Sequence, residues 1–279
     1  HKSFKNYLHA KKLFFDQLKP DSIALINEDD RHANYMVQNT RAQVKSYGMS
    51  TLADYSCQIL QVDSLVMTIR MAGQELITRL TGRFNAYNLT AVFAVSELCH
   101  VDTDDALRNL SDLEAVPGRF QRITGDPRGP LGIVDYAHTP DAVEKVTQAA
   151  SEIVAEGGRI LIVLGCGGNR DREKRPAMAR VAAQRADLAF LTSDNPREED
   201  PDQIIAEMYD ELEPTLKAKT FRIADRREAI RMAVSMAYPE DIVIVAGKGH
   251  EDYQEIMGAR RPFDDRIELQ QALSQKIKG

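Results

Sequence analysis

The sequence predicts an α/β protein whose C-terminal part is a doubly wound parallel sheet. Strands and helices alternate from Ile133 onward, which is typical of βαβ units. The predicted strands are short apolar runs, as expected of strands that are buried on both faces. Polar side chains follow these strands, and such sheets bind ligands at the carboxyl ends of their strands. The sequence therefore predicts a functional site at this edge.

The composition indicates a globular protein without a broad nucleic-acid-binding surface. The chain has 279 residues, of which 43% are hydrophobic and 28% charged, and this length favours two domains. A net charge of −6 disfavours electrostatic binding to nucleic acid. No apolar run reaches the ~18–20 residues that span a bilayer, so no membrane partner is expected. The three cysteines lack metal-ligand spacing and indicate reduced thiols in a cytoplasmic protein, which we expect to be a monomer.

The N-terminal part, 1–116, is predicted to form one domain. A helix over 5–18 and a strand over 22–27 precede a small antiparallel meander within 54–81. Two helices are then expected over 86–99 and 103–113. Asn85 is the expected cap of the first helix, and Asp102 or Thr103 that of the second.

The C-terminal part, 117–279, begins where the pattern changes near Pro117-Gly118. Strands are predicted at 132–136, 159–164, 187–192, 220–223 and 241–246. Helices are predicted at 140–155, 175–185, 202–213, 226–237 and 266–277.

The loop Thr192-Ser193-Asp194-Asn195-Pro196-Arg197 is the most informative segment. Asp194 and Asn195 offer acceptors, and Arg197 offers a rigid fork of donors that suits a carboxylate. Such a loop can hold a zwitterionic amino acid by both ends. The alternative is a strand-to-helix turn in which Asp194 or Asn195 caps the helix that follows Pro201.

Two further loops are expected at the same edge. The glycines within 165–168 permit close backbone approach to a ligand, although they match neither a dinucleotide fingerprint nor a P-loop. Arg170 is a candidate anion clamp, but the basic run 170–175 also fits a solvated face. The segment Gly247-Lys248-Gly249-His250-Glu251 offers backbone donors, a cation and a carboxylate, or is a flexible loop.

Together these motifs resemble the Mur ligase family, the ATP-dependent amide-forming enzymes of peptidoglycan precursor synthesis. The resemblance covers nearly the whole chain and rests on Tyr7-x-x-Ala10-Lys11, Gly82-x-Phe84-Asn85-x-x-Asn88, Gly118-Arg119, Asp135-Tyr136-Ala137-His138-Thr139-Pro140, Gly167-Gly168-Asn169-Arg170-Asp171, Lys174-Arg175-Pro176, Asp194-Asn195-Pro196-Arg197 and Gly247-Lys248-Gly249-His250-Glu251-Asp252. It implies the latter part of a central ATPase domain followed by a Rossmann-like domain that binds the incoming amino acid. The family's P-loop is absent from these 279 residues, and the chain opens at His1. We therefore expect a piece of a longer ligase that is inactive alone.

The resemblance also implies a nucleotide site that uses ATP and Mg²⁺. Lys11 corresponds to a lysine whose carbamate helps to hold Mg²⁺, although a surface lysine would look the same. Asn88 corresponds to an adenine contact, Arg119 to a phosphate contact and Asp135 to a ribose contact. His138 is expected to line the same site, although a lone histidine is more often structural.

The 194–197 motif resembles the branch of the family that adds meso-diaminopimelate to UDP-N-acetylmuramoyl-L-alanyl-D-glutamate. Diaminopimelate carries a distal carboxylate that lysine lacks, and Arg197 with Arg170 would pair with it. Asp194, Gly247 and Glu251 would surround the distal ammonium. The implied reaction phosphorylates the D-glutamyl carboxylate with ATP, and the diaminopimelate amine then displaces phosphate to form an amide.

Three other functions stay open on the sequence. A muropeptide-recycling ligase of the same family would join a preformed peptide, which the complete 194–197 motif disfavours. A nucleotide-dependent oxidoreductase would need the dinucleotide fingerprint that is missing. A non-catalytic module would bind diaminopimelate without hydrolysing ATP.

Overall fold

The computed structural model describes residues 4–63, 65–125 and 128–276. The chain divides into two compact units, 1–114 and 115–279. The division falls beside the change of pattern near Pro117-Gly118. None of the helices among the described residues is long and apolar enough to cross a membrane.

The elements of the first unit are α1 Phe4–Asp16, β1 Ile23–Asn27, α2 Ala33–Val37, β2 Gln43–Gly48, β3 Tyr55–Val62, β4 Met67–Met71, β5 Gln74–Thr78, α3 Arg83–Leu98 and α4 Thr103–Ser111. The strands form a five-stranded mixed sheet in the order β1-β2-β3-β4-β5. Strands β1 to β3 pair in parallel, and β3 to β5 pair antiparallel. The predicted antiparallel meander is therefore confirmed, but it continues into parallel strands, of which only β1 was predicted.

One face of this sheet packs against α3 and α4. Strand β4 places Met67, Ile69 and Met71 on that face, and all three side chains are buried. They meet Leu89 of α3 and Leu107 of α4 in one apolar cluster. The strict alternation along β4 is what a strand with one buried face requires.

Of the two predicted helix caps in the first unit, one is confirmed and one is wrong. The Asp102 side chain accepts from the backbone N–H groups at 104 and 105, so it caps α4 as predicted. Asn85 does not cap α3, because that helix begins earlier and follows Gly82. The Asn85 side chain instead donates to the carbonyl of Thr81 at 2.9 Å.

The elements of the second unit are β6 Gln121–Ile123, β7 Leu131–Asp135, α5 Pro140–Ser151, β8 Ile160–Cys166, α6 Lys174–Arg185, β9 Leu188–Ser193, α7 Pro201–Tyr209, α8 Pro214–Lys217, β10 Thr220–Arg222, α9 Arg226–Met236, β11 Ile242–Ala246, β12 Tyr253–Ile256, β13 Ala259–Pro262 and α10 Asp265–Lys276. Six of the strands form a sheet in the order β10-β9-β8-β11-β7-β6. All neighbours pair in parallel except β6, which is antiparallel to β7. Strand β11 lies between β8 and β7, so the order of the strands reverses along the sheet.

Both faces of this sheet are buried, as a doubly wound fold requires. Leu161 and Val163 of β8 belong to a core cluster with residues of α9 and α10. Ile162 and Leu164 alternate with them, point to the other face and are equally inaccessible to solvent. The predicted fold class is confirmed.

Four short elements of the second unit were not predicted. They are the edge strand β6, the four-residue helix α8 and the antiparallel hairpin of β12 and β13. The hairpin strands expose much of both faces, so they lack the apolar pattern on which strand prediction depends.

Candidate functional site

A cavity of about 300 Å³ lies at the carboxyl ends of β7, β8, β9 and β11. Four polar loops, one after each strand, meet there because parallel strands end at the same edge. The cavity brings together seven of the predicted site residues. Its lining is Tyr136, His138, Gly165, Cys166, Gly167, Arg170, Lys174, Met178, Asp194, Asn195, Arg197, Gly247 and Glu251.

Two carboxylates supply the negative charge of the cavity. The Asp194 residue is 9% exposed, and within the described part of the chain no donor hydrogen-bonds its carboxylate. Burial raises the pKa of Asp194, although the charges of Arg226 and Lys248 oppose that rise. The Glu251 Oε2 accepts from Asn195 Nδ2 at 2.8 Å and from Lys248 Nζ at 3.2 Å. Glu251 is therefore held by protein donors, whereas the Asp194 carboxylate can accept hydrogen bonds from a ligand.

Two guanidinium groups supply positive charge. Arg197 has a φ of 53°, and its backbone pairs with β12 through Glu255 O and Met257 N. Its Nη1 donates to Gly168 O at 2.7 Å, which directs the guanidinium toward the 165–168 loop. Arg170 is exposed, and the described residues give it neither an ion pair nor a hydrogen bond. Both cations suit a ligand carboxylate, and Arg170 would meet it without losing a protein partner.

The alternative interpretation of the 194–197 loop as a helix cap is wrong. Helix α7 is capped by Asp200, whose side chain accepts from the Asp202 backbone N–H. Asn195 is held elsewhere, since its Oδ1 accepts from Lys248 Nζ at 3.1 Å and from Glu255 N at 2.9 Å. The loop therefore serves the strand-end cavity and not the helix.

Close loop packing explains two glycines at this edge. A Cβ on Gly168 would lie 1.9 Å from Pro196 O, so the two loops touch through their backbones. A Cβ on Gly247 would lie 2.6 Å from Asp194 Oδ2, and its φ of 118° is one that side chains rarely adopt. The glycines within 165–168 were expected to let the backbone approach a ligand, and Gly247 was expected to lie beside the distal ammonium. The structure shows that they admit the neighbouring loop or side chain.

A buried ion pair contacts the carboxyl ends of strands β9 and β11. Arg226 and Asp265 are both fully buried and form two hydrogen bonds of 2.7 Å. Arg226 also donates to Ser193 O at 3.2 Å and to Ala246 O at 2.9 Å. These carbonyls directly precede Asp194 and Gly247. Sequence reasoning missed this pair because its members are 39 residues apart.

A second buried arginine, Arg175, contacts the glycine loop. Arg175 is fully buried, donates to Gly167 O at 3.2 Å and forms ion pairs with Glu199 and Glu207. Donors from Arg175 and the Asn169 backbone lower the pKa of Glu199 from its ordinary 4.5 to about 2. The interpretation of 170–175 as a uniformly solvated basic face is therefore wrong for Arg175.

The residues expected to contact nucleotide surround Tyr136. The Arg119 guanidinium lies over the Tyr136 ring at 4.9 Å, and the His138 ring lies 4.7 Å from it. Asp135 Oδ2 accepts from Phe120 N at 2.7 Å, and burial raises the pKa of this carboxyl. Arg119, Asp135 and His138 are thus brought together, around a tyrosine that the sequence analysis did not single out.

The two remaining predicted residues lie in the first unit. Lys11 is exposed on α1, with its Nζ 5.0 Å from the Tyr7 ring centre. Asn88 is exposed on α3 and donates to Asn85 Oδ1 at 3.3 Å. The Lys11 ammonium could ligate Mg²⁺ only after carbamoylation, and the described ranges contain no group of three His, Cys, Asp or Glu that could hold a metal ion. These residues alone do not complete a magnesium site.

Comparisons with known proteins agree across the chain. Residues 1–96 match the family model for the Mur ligase middle domain, and residues 118–249 match the Mur ligase, glutamate ligase domain. The chain is 45% identical over 273 residues to a UDP-N-acetylmuramoyl-L-alanyl-D-glutamate–2,6-diaminopimelate ligase of Cytophaga hutchinsonii. It is 45% identical over 274 residues to the ligase of that name from Parabacteroides distasonis. Each match covers 98% of this chain and 56% of the relative, so the chain spans about half of their length.

Solved structures show the same relation. A ligase of that same name has a TM-score of 0.64 and 36% identity, and the match covers 99% of this chain and 58% of that one. The MurF ligase of Thermotoga maritima, solved with ADP, has a TM-score of 0.68 at 14% identity, covering 99% of this chain and 58% of that one, and so shares the fold. On this evidence from both units, the chain belongs to the Mur ligase family.

Proposed function

We propose that this chain is the amino-acid-binding part of a cytoplasmic, ATP-dependent ligase that adds meso-diaminopimelate to UDP-N-acetylmuramoyl-L-alanyl-D-glutamate. The observation that carries the proposal is the strand-end cavity, in which two guanidinium groups and two carboxylates face one space of about 300 Å³. The names of the relatives that match the chain over 98% of its length support the same substrate.

The charges in the cavity suit the distal end of diaminopimelate. Arg197 and Arg170 would pair with the distal carboxylate, and Asp194 and Glu251 would accept from the distal ammonium. Lysine carries an ammonium but no carboxylate at that end, so it would leave the two guanidinium groups without an anion. Unsatisfied polar groups in a binding site are the strongest source of discrimination between similar ligands.

The proposed nucleotide contacts are those that the resemblance to the family implies. Asn88 would contact adenine, and Arg119, Asp135 and His138 would contact the phosphates and ribose. Tyr136, at the centre of the last group, offers a ring face beside them. ATP supplies the phosphoryl group that activates the acceptor carboxylate, and Lys11 would provide one oxygen-bearing ligand to Mg²⁺ once it is carbamoylated. We place the chain's own contribution in holding the diaminopimelate amine in position for attack.

Calorimetric titration of the 279-residue chain with meso-diaminopimelate, and separately with L-lysine, tests the proposal. We expect diaminopimelate to bind at least tenfold more tightly, because lysine loses a charge-assisted contact with Arg197. Arg197→Gln should remove most of that preference while leaving lysine binding nearly unchanged.

Equal binding of both ligands, or tighter binding of lysine, would overturn the substrate assignment. Arg222→Gln is a matched control, because this arginine is also in the second unit but stacks on Tyr209 away from the cavity. It should preserve the preference for diaminopimelate.

A further inference from the structure

Lys248 is an unusual lysine because its side chain is fully buried. Lysine is rarely buried unless it is paired, since the charged form loses its hydration. Here the Nζ reaches Glu251 Oε2 at 3.2 Å and Asn195 Oδ1 at 3.1 Å, and it lies 5.5 Å from the centre of the Tyr253 ring. The charge is therefore compensated directly behind the cavity wall.

Asn195 links Lys248 to the rest of the site. Its Oδ1 accepts from Lys248 Nζ and from the Glu255 backbone, and its Nδ2 donates to Glu251 Oε2 at 2.8 Å. Only this amide orientation places the oxygen toward both donors and the nitrogen toward the carboxylate. Lys248, Asn195 and Glu251 thus form a closed triangle of hydrogen bonds.

The triangle uses one oxygen of Glu251. Oε2 receives both the lysine and the asparagine, and no hydrogen bond from another described residue reaches Oε1. The Glu251 side chain is 23% exposed, and the residue lines the cavity. Anchoring one carboxylate oxygen leaves the other with a fixed direction, and a fixed acceptor recognises a cation better than a mobile one.

We propose that Lys248 is a positioning residue that gives the site its selectivity for the distal ammonium of the amino acid. It does so by holding Glu251 in a single orientation, with Oε2 anchored by Lys248 and Asn195 and Oε1 directed to the ligand. The inference rests on the proposed function and extends it, because Lys248 is not among the residues that line the cavity and would act through Glu251. Arg197 and Arg170 would bind the distal carboxylate independently of Lys248.

A pair of ligands separates positioning from general structural damage. L-2-aminopimelate keeps both carboxylates and the L-configured amine of meso-diaminopimelate but lacks the distal amine. Lys248→Met should weaken meso-diaminopimelate binding on the order of 10- to 100-fold, because a charge-assisted contact with the distal ammonium is lost. Binding of L-2-aminopimelate should change less than threefold. Titration calorimetry, with competition for the weaker ligand, measures both.

A double-mutant cycle shows whether Lys248 acts through Glu251. If it does, Lys248→Met should weaken diaminopimelate binding strongly in the wild-type background and only slightly when Glu251→Gln is already present. The double variant also removes both members of the ion pair, so it stays informative if the single Lys248→Met chain does not fold. In that case, Glu251→Gln and the double variant must bind meso-diaminopimelate with nearly equal affinity, since Lys248 has no further effect once Glu251 is changed.

Lys12→Met is the matched control. Lys12 is also buried and ion-paired, with Asp16 as its partner, but it lies on α1 in the other unit. It should leave the affinities for both ligands unchanged. Equal loss of both ligands in Lys248→Met, or additive effects in the cycle, would overturn the inference while leaving the proposed function intact. Failure of the wild-type chain to prefer diaminopimelate would instead count against the proposed function.

Discussion

At the scale of single residues, Gly247 shows how closely the binding groups are packed. An alanine there would place its Cβ 2.6 Å from Asp194 Oδ2 at a φ of 118°. Gly247→Ala should therefore displace the Asp194 carboxylate and weaken diaminopimelate binding about tenfold or more. Titration calorimetry measures this loss.

Gly157→Ala separates crowding from backbone strain. Gly157 also has a positive φ, 78°, but nothing lies within 4 Å of the Cβ that alanine would add. Both variants should lose stability, each by roughly 1–3 kcal/mol for the strained backbone. Only Gly247→Ala should lose affinity, and a similar loss in Gly157→Ala would show that strain alone weakens binding.

Asn195 and Lys248 mark the limit of sequence reasoning at this scale. The sequence identified Asn195 as a residue of the site because it lies in a polar loop after an apolar run. It did not predict that the side-chain oxygen is occupied by Lys248 and Glu255, which are 53 and 60 residues away. Lys248 was seen as one cation in a loop, and its burial depends on contacts that no local pattern encodes.

At the scale of elements, the Arg226–Asp265 pair ties α9 and α10 to the ends of β9 and β11. Asp265→Asn would leave the Arg226 charge buried without its anion. We expect the free energy of unfolding to fall by about 3–5 kcal/mol, the usual cost of breaking a buried pair from one side. Urea denaturation followed by circular dichroism measures the change.

An exposed pair on the same helix is the control. Glu228 and Arg231 of α9 form an ion pair in which both side chains are about half exposed, at 57% and 46%. Glu228→Gln should change the free energy of unfolding by about 0–1 kcal/mol. A loss in Asp265→Asn no larger than this would contradict the bracing role of the buried pair.

The hairpin of β12 and β13 shows why some elements were not predicted from the sequence. The five parallel strands were predicted within two residues at each end, because their apolar runs are a local property of the chain. The hairpin has no such pattern and is fixed by distant contacts instead. Gln254 donates to Asp194 O at 2.9 Å, and the Arg197 backbone bridges to Ile256.

At the scale of the whole molecule, the lowered pKa of Glu199 makes the stability of the folded chain depend on pH. Its pKa is lowered from 4.5 to about 2 in the folded chain. The folded state therefore binds fewer protons than the unfolded state in this range, and the stabilisation is complete above pH 4.5 and lost as the pH falls toward 2. Glu199→Gln should destabilise the chain at neutral pH, and its difference from wild type should shrink over the same interval.

Thermal unfolding measured at a series of pH values checks this expectation. Glu198→Gln is the neighbouring control, since the Glu198 carboxylate is exposed and accepts from the Asn169 side chain. Its difference from wild type should stay small throughout. A Glu199→Gln difference that is constant between pH 4.5 and 2 would show that the lowered pKa contributes nothing to acid stability.

The position of β11 has a consequence for how the site forms during synthesis. This strand is the last of the six in chain order, yet it pairs with both β7 and β8 in the middle of the sheet. Until residues 242–246 have left the ribosome, β6–β7 and β8–β9–β10 are two separate pieces with unpaired apolar edges. Lys248, Glu251 and Asp265 follow β11 in the chain and emerge only after that gap is filled. The nascent chain therefore gains its binding cavity only once β11 and the loop that follows it have been synthesised.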